Sequence, residues 1–148
     1  MEKRESLVRR LYEAFNERAL DEAVEMTHPE GSTTIVGTGE KFEGRDGARR
    51  YNEMWLAAFP DGHATIDRVH LTGDYAVVEF TGHGTHTGTL STGAGDIPAT
   101  GKQVTMQFCD VIEFKDDMPY RQRSYFDSAS MMMQLGLLEA GAGAAAQQ

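Results

Sequence analysis

Two neighbouring extended segments near the C-terminus constrain the fold of this chain most strongly. The first, between Gly101 and Phe114, places apolar residues at even positions, which is the two-residue period of a strand with one apolar face. Asp110 interrupts that apolar face. Asp116 and Asp117 supply turn chemistry, and the segment after them is again extended. The pair therefore predicts a long antiparallel hairpin that turns at these two aspartates.

Asp127 ends the second strand of this hairpin and begins the last predicted helix. The predicted register places it opposite Met106 or Gln107. A carboxylate at such a junction has two interpretations. It caps the helix by accepting hydrogen bonds from N–H groups of the first turn, or it lies at a pocket, partly shielded from water, and acts as a base.

In the rest of the chain, the spacing of apolar residues predicts helices first and strands afterwards. Apolar residues recur every three or four positions over residues 3–18 and 44–59, which predicts two amphipathic helices, with a short helical turn over 21–26 between them. Residues 33–36 predict one short strand. Residues 64–71 and 75–87 predict two long strands joined by a turn, and residues 89–100 predict an exposed loop.

This order of elements predicts an α+β fold in which a curved antiparallel sheet wraps around N-terminal helices. A strongly bent sheet leaves space beneath the helices, so we expect a pocket there. The 148 residues are expected to form one domain over 1–138, followed by a flexible, Ala- and Gly-rich tail over 139–148.

The charge and composition of the chain exclude several functions. The net charge of −9 disfavours nucleic acids and anionic membranes, because both polyanions require clustered Lys and Arg side chains. No apolar run is long enough for a membrane span. The single cysteine, Cys109, cannot form an internal disulfide, so we expect a cytoplasmic protein.

The five histidines do not predict a metal site. His83 and His86 are three residues apart on a predicted strand, so their side chains point to opposite faces. The remaining three lie near predicted loops and turns. We therefore expect no bound metal.

Six short stretches occur together in an order typical of one family. They are Trp55–Asp61, Gly84–Gly88, Thr100–Lys102, Asp110 with Phe114, Asp127, and Gln134–Gly136. From about Leu7 to Leu137 the chain resembles the SnoaL-like polyketide cyclases of the nuclear-transport-factor-2-like superfamily, whose fold is a cone-shaped α+β barrel. The resemblance implies a homodimer or higher homo-oligomer that binds a hydrophobic, polyketide-like small molecule, without nucleic acid or membrane partners.

The same resemblance implies a cofactor-free intramolecular aldol condensation in antibiotic biosynthesis, with Asp127 as the acid/base. Many relatives carry a histidine at the position of Gln107. The residues expected to contact substrate provide polar groups for carbonyl oxygens, apolar walls, and charges near Asp127. They are Tyr12, Asn52, Trp55, Phe59, Gln107, Asp110 and Arg123.

Other functions remain open at this stage. Relatives in the superfamily include proteins with hydroxylation-associated roles, isomerases and epoxide hydrolases. An epoxide hydrolase would need an Asp-Arg-Asp set, for which Asp110, Arg123 and Asp127 are the available residues. The last alternative is a non-catalytic module for ligand binding or dimerisation.

Overall fold

The structure is a computed structural model that describes residues 2–138. Its elements are four helices, α1 to α4, and eight strands, β1 to β8. In chain order they are α1 (Glu2–Asn16), α2 (Leu20–Met26), β1 (Ser32–Ile35), β2 (Glu40–Glu43), α3 (Gly44–Ala58), β3 (His63–Thr72), β4 (Tyr75–Thr85), β5 (Leu90–Thr92), β6 (Gly95–Ile97), β7 (Gln103–Lys115), β8 (Met118–Phe126) and α4 (Ser128–Gln134). The predicted tail over 139–148 lies outside the described residues.

A six-stranded sheet forms one layer of the molecule, in the order β2-β1-β8-β7-β4-β3. The predicted α+β architecture is confirmed, with two differences. The pair β1–β8 is parallel, whereas the other pairs are antiparallel. In the described part of the chain, β2 and β3 remain at opposite edges, so the cone is an open sheet and not a closed barrel.

The β7–β8 hairpin has the predicted turn. Lys115 pairs with Met118, so Asp116 and Asp117 are the two central residues. Both have positive φ values, 54° and 58°, which is the left-handed conformation that a two-residue hairpin turn of type I′ requires and that Asp tolerates. A bulge between Glu113 and Phe114 shifts the register set by the turn by one residue, so Phe108 lies opposite Phe126, and the alternation of β7 sends its even residues to the concave face.

The concave face of the sheet and the apolar stripes of α1 and α3 form the core. Val8 of α1, Val78 of β4 and Ile112 of β7 are fully buried in one apolar cluster. A second cluster joins the end of α3 to α4 and the start of β7. The helices therefore cover the sheet, and the region between the two clusters is where the chain leaves a cavity.

Two stretches differ from the prediction. Residues 40–43 form the edge strand β2, which is too short to show a clear alternation. The stretch 89–100, predicted as an exposed loop, contains the small hairpin β5–β6, and Leu90 of this hairpin is only 1% exposed. The hairpin is held at its base by His86, whose backbone N–H donates to Lys102 O and whose carbonyl accepts from Gly101.

Helix α4 attaches to β7 beyond the point where β8 ends. The Gln134 side chain accepts a hydrogen bond from the Thr105 N–H at 2.8 Å and donates to the Thr105 carbonyl at 3.0 Å. The Gln134 amide thus takes the place of a paired strand at Thr105 and satisfies both backbone groups of this residue at the edge of β7. Among the described residues, no helix is both long enough and apolar enough to cross a membrane.

The close contact between Gly88 and the end of α3 gives a test of this fold. A Cβ at Gly88 would lie 1.8 Å from the Ala57 carbonyl oxygen, which is backbone and cannot move away without displacing the helix. We expect Gly88→Ala to destabilise the protein by about 2 kcal/mol or more in urea unfolding. The matched control is Gly93→Ala, whose Cβ would come no closer than 3.7 Å to Glu40, and we expect it to stay within about 0.5 kcal/mol of the parent. Equal effects of the two changes would contradict this packing.

Candidate active site

A cavity of about 130 Å³ lies between the concave face of the sheet and the helices α1, α2 and α3. Its walls are mostly aromatic and aliphatic, with a few polar groups. The lining residues used below are Tyr12, Tyr51, Asn52, Trp55, Phe59, Phe80, Gly82, Gly84, Phe108, Asp110 and Met131. An apolar space with few polar groups is the usual form of a small-molecule site.

Two glycines of β4 position the aromatic walls. A Cβ at Gly82 would lie 2.9 Å from the Phe108 ring, and one at Gly84 would lie 2.9 Å from Phe59. Without these side chains, both rings pack directly against the strand. Trp55 then meets Phe108 edge to face, with ring centroids 5.8 Å apart, so these rings form one connected aromatic wall.

Asp110 is the polar centre of the cavity. Its even position on β7 places it on the concave face, between Phe108 and Ile112, where it is only 8% exposed. Burial disfavours the charged form and raises the pKa of Asp110 from 3.8 to about 6, although the hydrogen bond from Tyr12 and the nearby Ser124 hydroxyl oppose this change. The carboxyl therefore changes its protonation state close to neutral pH.

Tyr12 of α1 is the hydrogen-bond partner of this carboxyl. Its hydroxyl donates to Asp110 Oδ2 at 2.5 Å, a length typical of a bond from O–H to a charged oxygen. Burial, together with the adjacent charge of Asp110, raises the pKa of Tyr12 well above 10, so Tyr12 stays protonated and donates. The other oxygen, Asp110 Oδ1, has no hydrogen-bond partner among the described residues.

The structure brings together five of the seven residues predicted to contact substrate. Tyr12, Asn52, Trp55, Phe59 and Asp110 all line the cavity. The Asn52 amide donates to the Ala48 carbonyl of its own helix at 3.0 Å, so this donor is already engaged. Contact of these residues with a substrate stays a prediction.

The predicted location of Asp127 inside a shielded pocket is wrong. Asp127 is exposed, is absent from the cavity walls and accepts hydrogen bonds from the backbone N–H groups of Ala129 and Ser130. It is the N-cap of α4, the first of the two interpretations of this junction. The reason is geometric, because β8 ends at Phe126 and the chain then turns outwards into the helix.

Gln107 and Arg123 occupy odd positions on β7 and β8 and thus point to the convex face, away from Asp110. The Gln107 amide donates to the Thr81 hydroxyl at 3.1 Å. Neither residue lines the cavity, so their predicted substrate contacts are not supported. The set of Asp110, Arg123 and Asp127 that an epoxide hydrolase would need does not converge on one point.

The sequence analysis missed Tyr51 and Ser124. Tyr51 lies on the apolar stripe of α3, where a tyrosine has the same pattern as a core residue. Ser124 lies directly opposite Asp110 in the ladder and is 2% exposed. Extending the register from the two-residue turn at Asp116 and Asp117 would pair Asp110 with Arg123, because the turn does not show the bulge between Glu113 and Phe114 that shifts the partner to Ser124.

Within residues 2–138, no three His, Cys, Asp or Glu side chains converge in a way that would hold a metal ion. The titratable and hydrogen-bonding side chains that line the cavity are one carboxyl, four hydroxyls, the two amides of Asn52 and Gln122, and the two imidazoles of His63 and His83. This set suits hydrogen bonding and proton transfer.

The open α+β cone, with helices over its concave face, is the fold of nuclear-transport-factor-2-like proteins. The family model of the SnoaL-like polyketide cyclases matches residues 5–135, and the chain belongs to this family. No curated protein sequence matches the chain significantly.

Solved structures show the same fold. A protein from Jannaschia sp. CCS1, described as a candidate SnoaL-like polyketide cyclase, has a TM-score of 0.80 at 19% identity, over 92% of this chain and 93% of that one. TsrD from Streptomyces laurentii has a TM-score of 0.77 at 23% identity, over 93% and 98%. IdmH from Streptomyces antibioticus, described as a candidate polyketide cyclase, has a TM-score of 0.74 at 26% identity, over 90% and 98%.

The burial of Asp110 predicts a cost in stability that depends on pH. Because the folded-state pKa is raised, the native state binds more protons than the unfolded state between pH 3.8 and about 6, so stability falls as pH rises through this range. A rise from 3.8 to about 6 corresponds to about 3 kcal/mol. We expect Asp110→Asn, which keeps an acceptor for Tyr12, to be more stable than the parent at pH 8 by about 1–3 kcal/mol.

Urea unfolding at pH 4 and pH 8 measures this effect, and the gain in Asp110→Asn should be much smaller at pH 4. The control is Asp96→Asn, the same change at an exposed position of β6. A variant at Asp110 that is less stable than the parent at pH 8 would show that the ionised carboxylate stabilises the fold.

Proposed function

We propose that this protein is an enzyme that transfers protons to and from carbon, and that its reaction is a cofactor-free intramolecular aldol condensation of a polyketide-like substrate. The observation that carries the proposal is the Asp110 carboxyl, buried in an apolar cavity with one free oxygen and a pKa of about 6. A base with a pKa near the working pH combines a large ionised fraction with a useful proton affinity. Family membership supports the reaction class, and the description of IdmH as a candidate polyketide cyclase is consistent with it.

The reaction begins with ionised Asp110, whose free Oδ1 accepts a proton from a carbon flanked by two carbonyl groups. The electron pair of the broken C–H bond delocalises onto oxygen as an enolate. The nucleophilic carbon then attacks a second carbonyl of the same molecule, which forms the C–C bond and converts that carbonyl to an alkoxide. Protonated Asp110 returns the proton to the alkoxide, so the carboxylate is regenerated and no further reactant is needed.

Tyr12 holds the carboxyl in place during this cycle. Its hydrogen bond to Asp110 Oδ2 directs the other oxygen to the substrate and moderates the effect of burial on the pKa. The aromatic wall of Trp55, Phe59 and Phe108 excludes water and holds the two reacting parts of the substrate together.

The size of the cavity limits what enters it. A volume of about 130 Å³ is close to the ~150 Å³ of an apolar cavity that holds one benzene molecule. It is below the roughly 300–1,000 Å³ of a site for a drug-sized ligand. We therefore propose that about one ring of the substrate, the one that contains the acidic carbon, occupies the space around Asp110.

Replacement of the carboxyl tests the assignment of the base. We expect Asp110→Asn to lower kcat for aromatic polyketide esters by about 100-fold or more, since general bases contribute about 10²–10⁴-fold. Asp127→Asn is the matched comparison, because Asn caps helices as well as Asp does, and we expect its turnover to stay within about three-fold of the parent. Loss of turnover in Asp127→Asn, with activity kept in Asp110→Asn, would restore Asp127 as the acid/base.

The pH profile gives a second measurement on the same enzyme. Because the base acts in its ionised form, kcat/KM should rise with pH, bend near pH 6 and then level off. Asp127→Asn should show the same rise of kcat/KM with pH and the same bend near pH 6. A profile that is already level at pH 5 would mean that a group with an ordinary carboxyl pKa is the base.

We also propose that the protein forms a homodimer through the convex face of the sheet. Tyr125 and Tyr75 are 41% and 38% exposed, and Cys109 and Val111 lie partly exposed between them. A two-fold axis would bring this face of one subunit against the same face of the other. Light scattering should give about twice the chain mass of 16.3 kDa for the parent and a lower mass for Tyr125→Lys; a parent monomer would contradict the proposal.

A further inference from the structure

Two buried polar atoms, one in the cavity wall and one directly behind it, have no hydrogen-bond partner among the described residues. They are Asp110 Oδ1 and Ser124 Oγ. The two residues face each other across the β7–β8 ladder, so both atoms belong to one place. Asp110 lines the cavity, whereas Ser124 lies directly behind the wall, close enough to lower the pKa of Asp110. Nearly all buried polar atoms in folded proteins are hydrogen-bonded, and two neighbouring exceptions next to a cavity indicate a group that binds there.

The Tyr51 hydroxyl is the third member of this cluster. Its ring is fixed by edge-to-face contacts with Phe42 and Trp55, at centroid distances of 5.5 and 6.4 Å. Burial, and secondly the charge of Asp110, raise the pKa of Tyr51, so its hydroxyl stays protonated. Ser124 is near enough to moderate this pKa, but the two hydroxyls do not have the geometry of a formed hydrogen bond.

These three groups require a specific kind of ligand atom. Ionised Asp110 Oδ1 only accepts hydrogen bonds, Tyr51 donates, and Ser124 does either. A carbonyl oxygen cannot donate to Oδ1, and a carboxylate would be repelled by it. A neutral hydroxyl on an unsaturated ring donates to Oδ1 and accepts from Tyr51 or Ser124, so it satisfies the whole cluster.

We propose that Tyr51, Ser124 and Asp110 Oδ1 form a subsite for the hydroxyl of an enol or phenol, and that the substrate is bound as the enol form of a 1,3-dicarbonyl. The proposal rests on the proposed function and deepens it, because it names the tautomer that the site selects. Loss of the enol O–H proton to Asp110 gives the same enolate as loss of the C–H proton from the keto form. Tyr51 and Ser124 then hold the enolate oxygen while the carbon attacks.

Binding of one-ring probes tests the subsite without any turnover. Phenol and toluene have nearly the same shape, but toluene enters an apolar cavity more readily unless the phenol hydroxyl finds partners. At pH 7.5, followed by NMR titration, we expect the parent protein to bind phenol about five- to ten-fold more tightly than toluene, and benzoate more weakly than either.

Tyr51→Phe and Ser124→Ala each remove one hydroxyl. Each should lower the affinity for phenol about five- to ten-fold and leave the affinity for toluene within two-fold, which also shows that the cavity is intact. Tyr120→Phe, the same substitution at a tyrosine that does not line the cavity, should change neither affinity. Two separate variants keep the test valid if one of them fails to fold.

Toluene binding that equals or exceeds phenol binding in the parent would overturn the proposal, as would phenol binding that neither variant weakens. The outcome is separate from the test of the base. If Asp110 is not the base, the pH profile of kcat/KM has no bend near pH 6, while the preference for phenol over toluene persists. If the subsite does not exist, the preference for phenol over toluene is absent, while the bend of kcat/KM near pH 6 remains.

Discussion

The structure depends on the burial of one carboxyl group. Asp110 is on a strand whose other inward residues are apolar, and taking its charge out of water is costly. The fold meets this cost only in part, with the Tyr12 hydroxyl on Oδ2 and no full hydrogen bond to Oδ1 from the described residues. Such incomplete compensation is typical of a functional site, where stability is given up for a group with an altered pKa.

The sheet and helices explain how the carboxyl stays both buried and accessible to a ligand. Gly82 and Gly84 let the side chains of Phe108 and Phe59 pack directly against β4, so the aromatic wall stays close to the strand and leaves space beside Asp110. At the open end, α4 is fastened by two polar contacts, the Asp127 cap and the pairing of Gln134 with Thr105. The residue that resembled the catalytic acid in sequence thus contributes to the helix that places Met131 in the cavity wall.

Much of the fold was predictable from local patterns, and the site was predictable only in part. The alternation in β7 and the turn at Asp116 and Asp117 predicted the hairpin and its register to within one residue, and the bulge between Glu113 and Phe114 settles that last residue. Asp110 was visible as the one charged residue on an apolar face, but its burial depends on Tyr12 from a helix 98 positions away, which no local pattern shows.

The remaining differences have similar causes. An aspartate between a strand and a helix has the same sequence pattern whether it caps the helix or lines a pocket, and for Asp127 the end of β8 decides between them. Tyr51 on an apolar helix stripe cannot be distinguished from a core residue until the sheet brings Ser124 near it. Leu90 is buried because its hairpin folds onto α3, a long-range contact within a stretch rich in turn residues.

The most direct measurement of the central claim is the pKa of the Asp110 carboxyl itself. In protein labelled with ¹³C at the aspartate carboxyl carbons, NMR titration between pH 3 and pH 8 follows each group, and Asp110→Asn identifies the resonance of Asp110. The account predicts a midpoint of about 6 for this resonance. A midpoint near the ordinary value of 3.8 would show that Asp110 is solvated or fully compensated, and would contradict its role as the base.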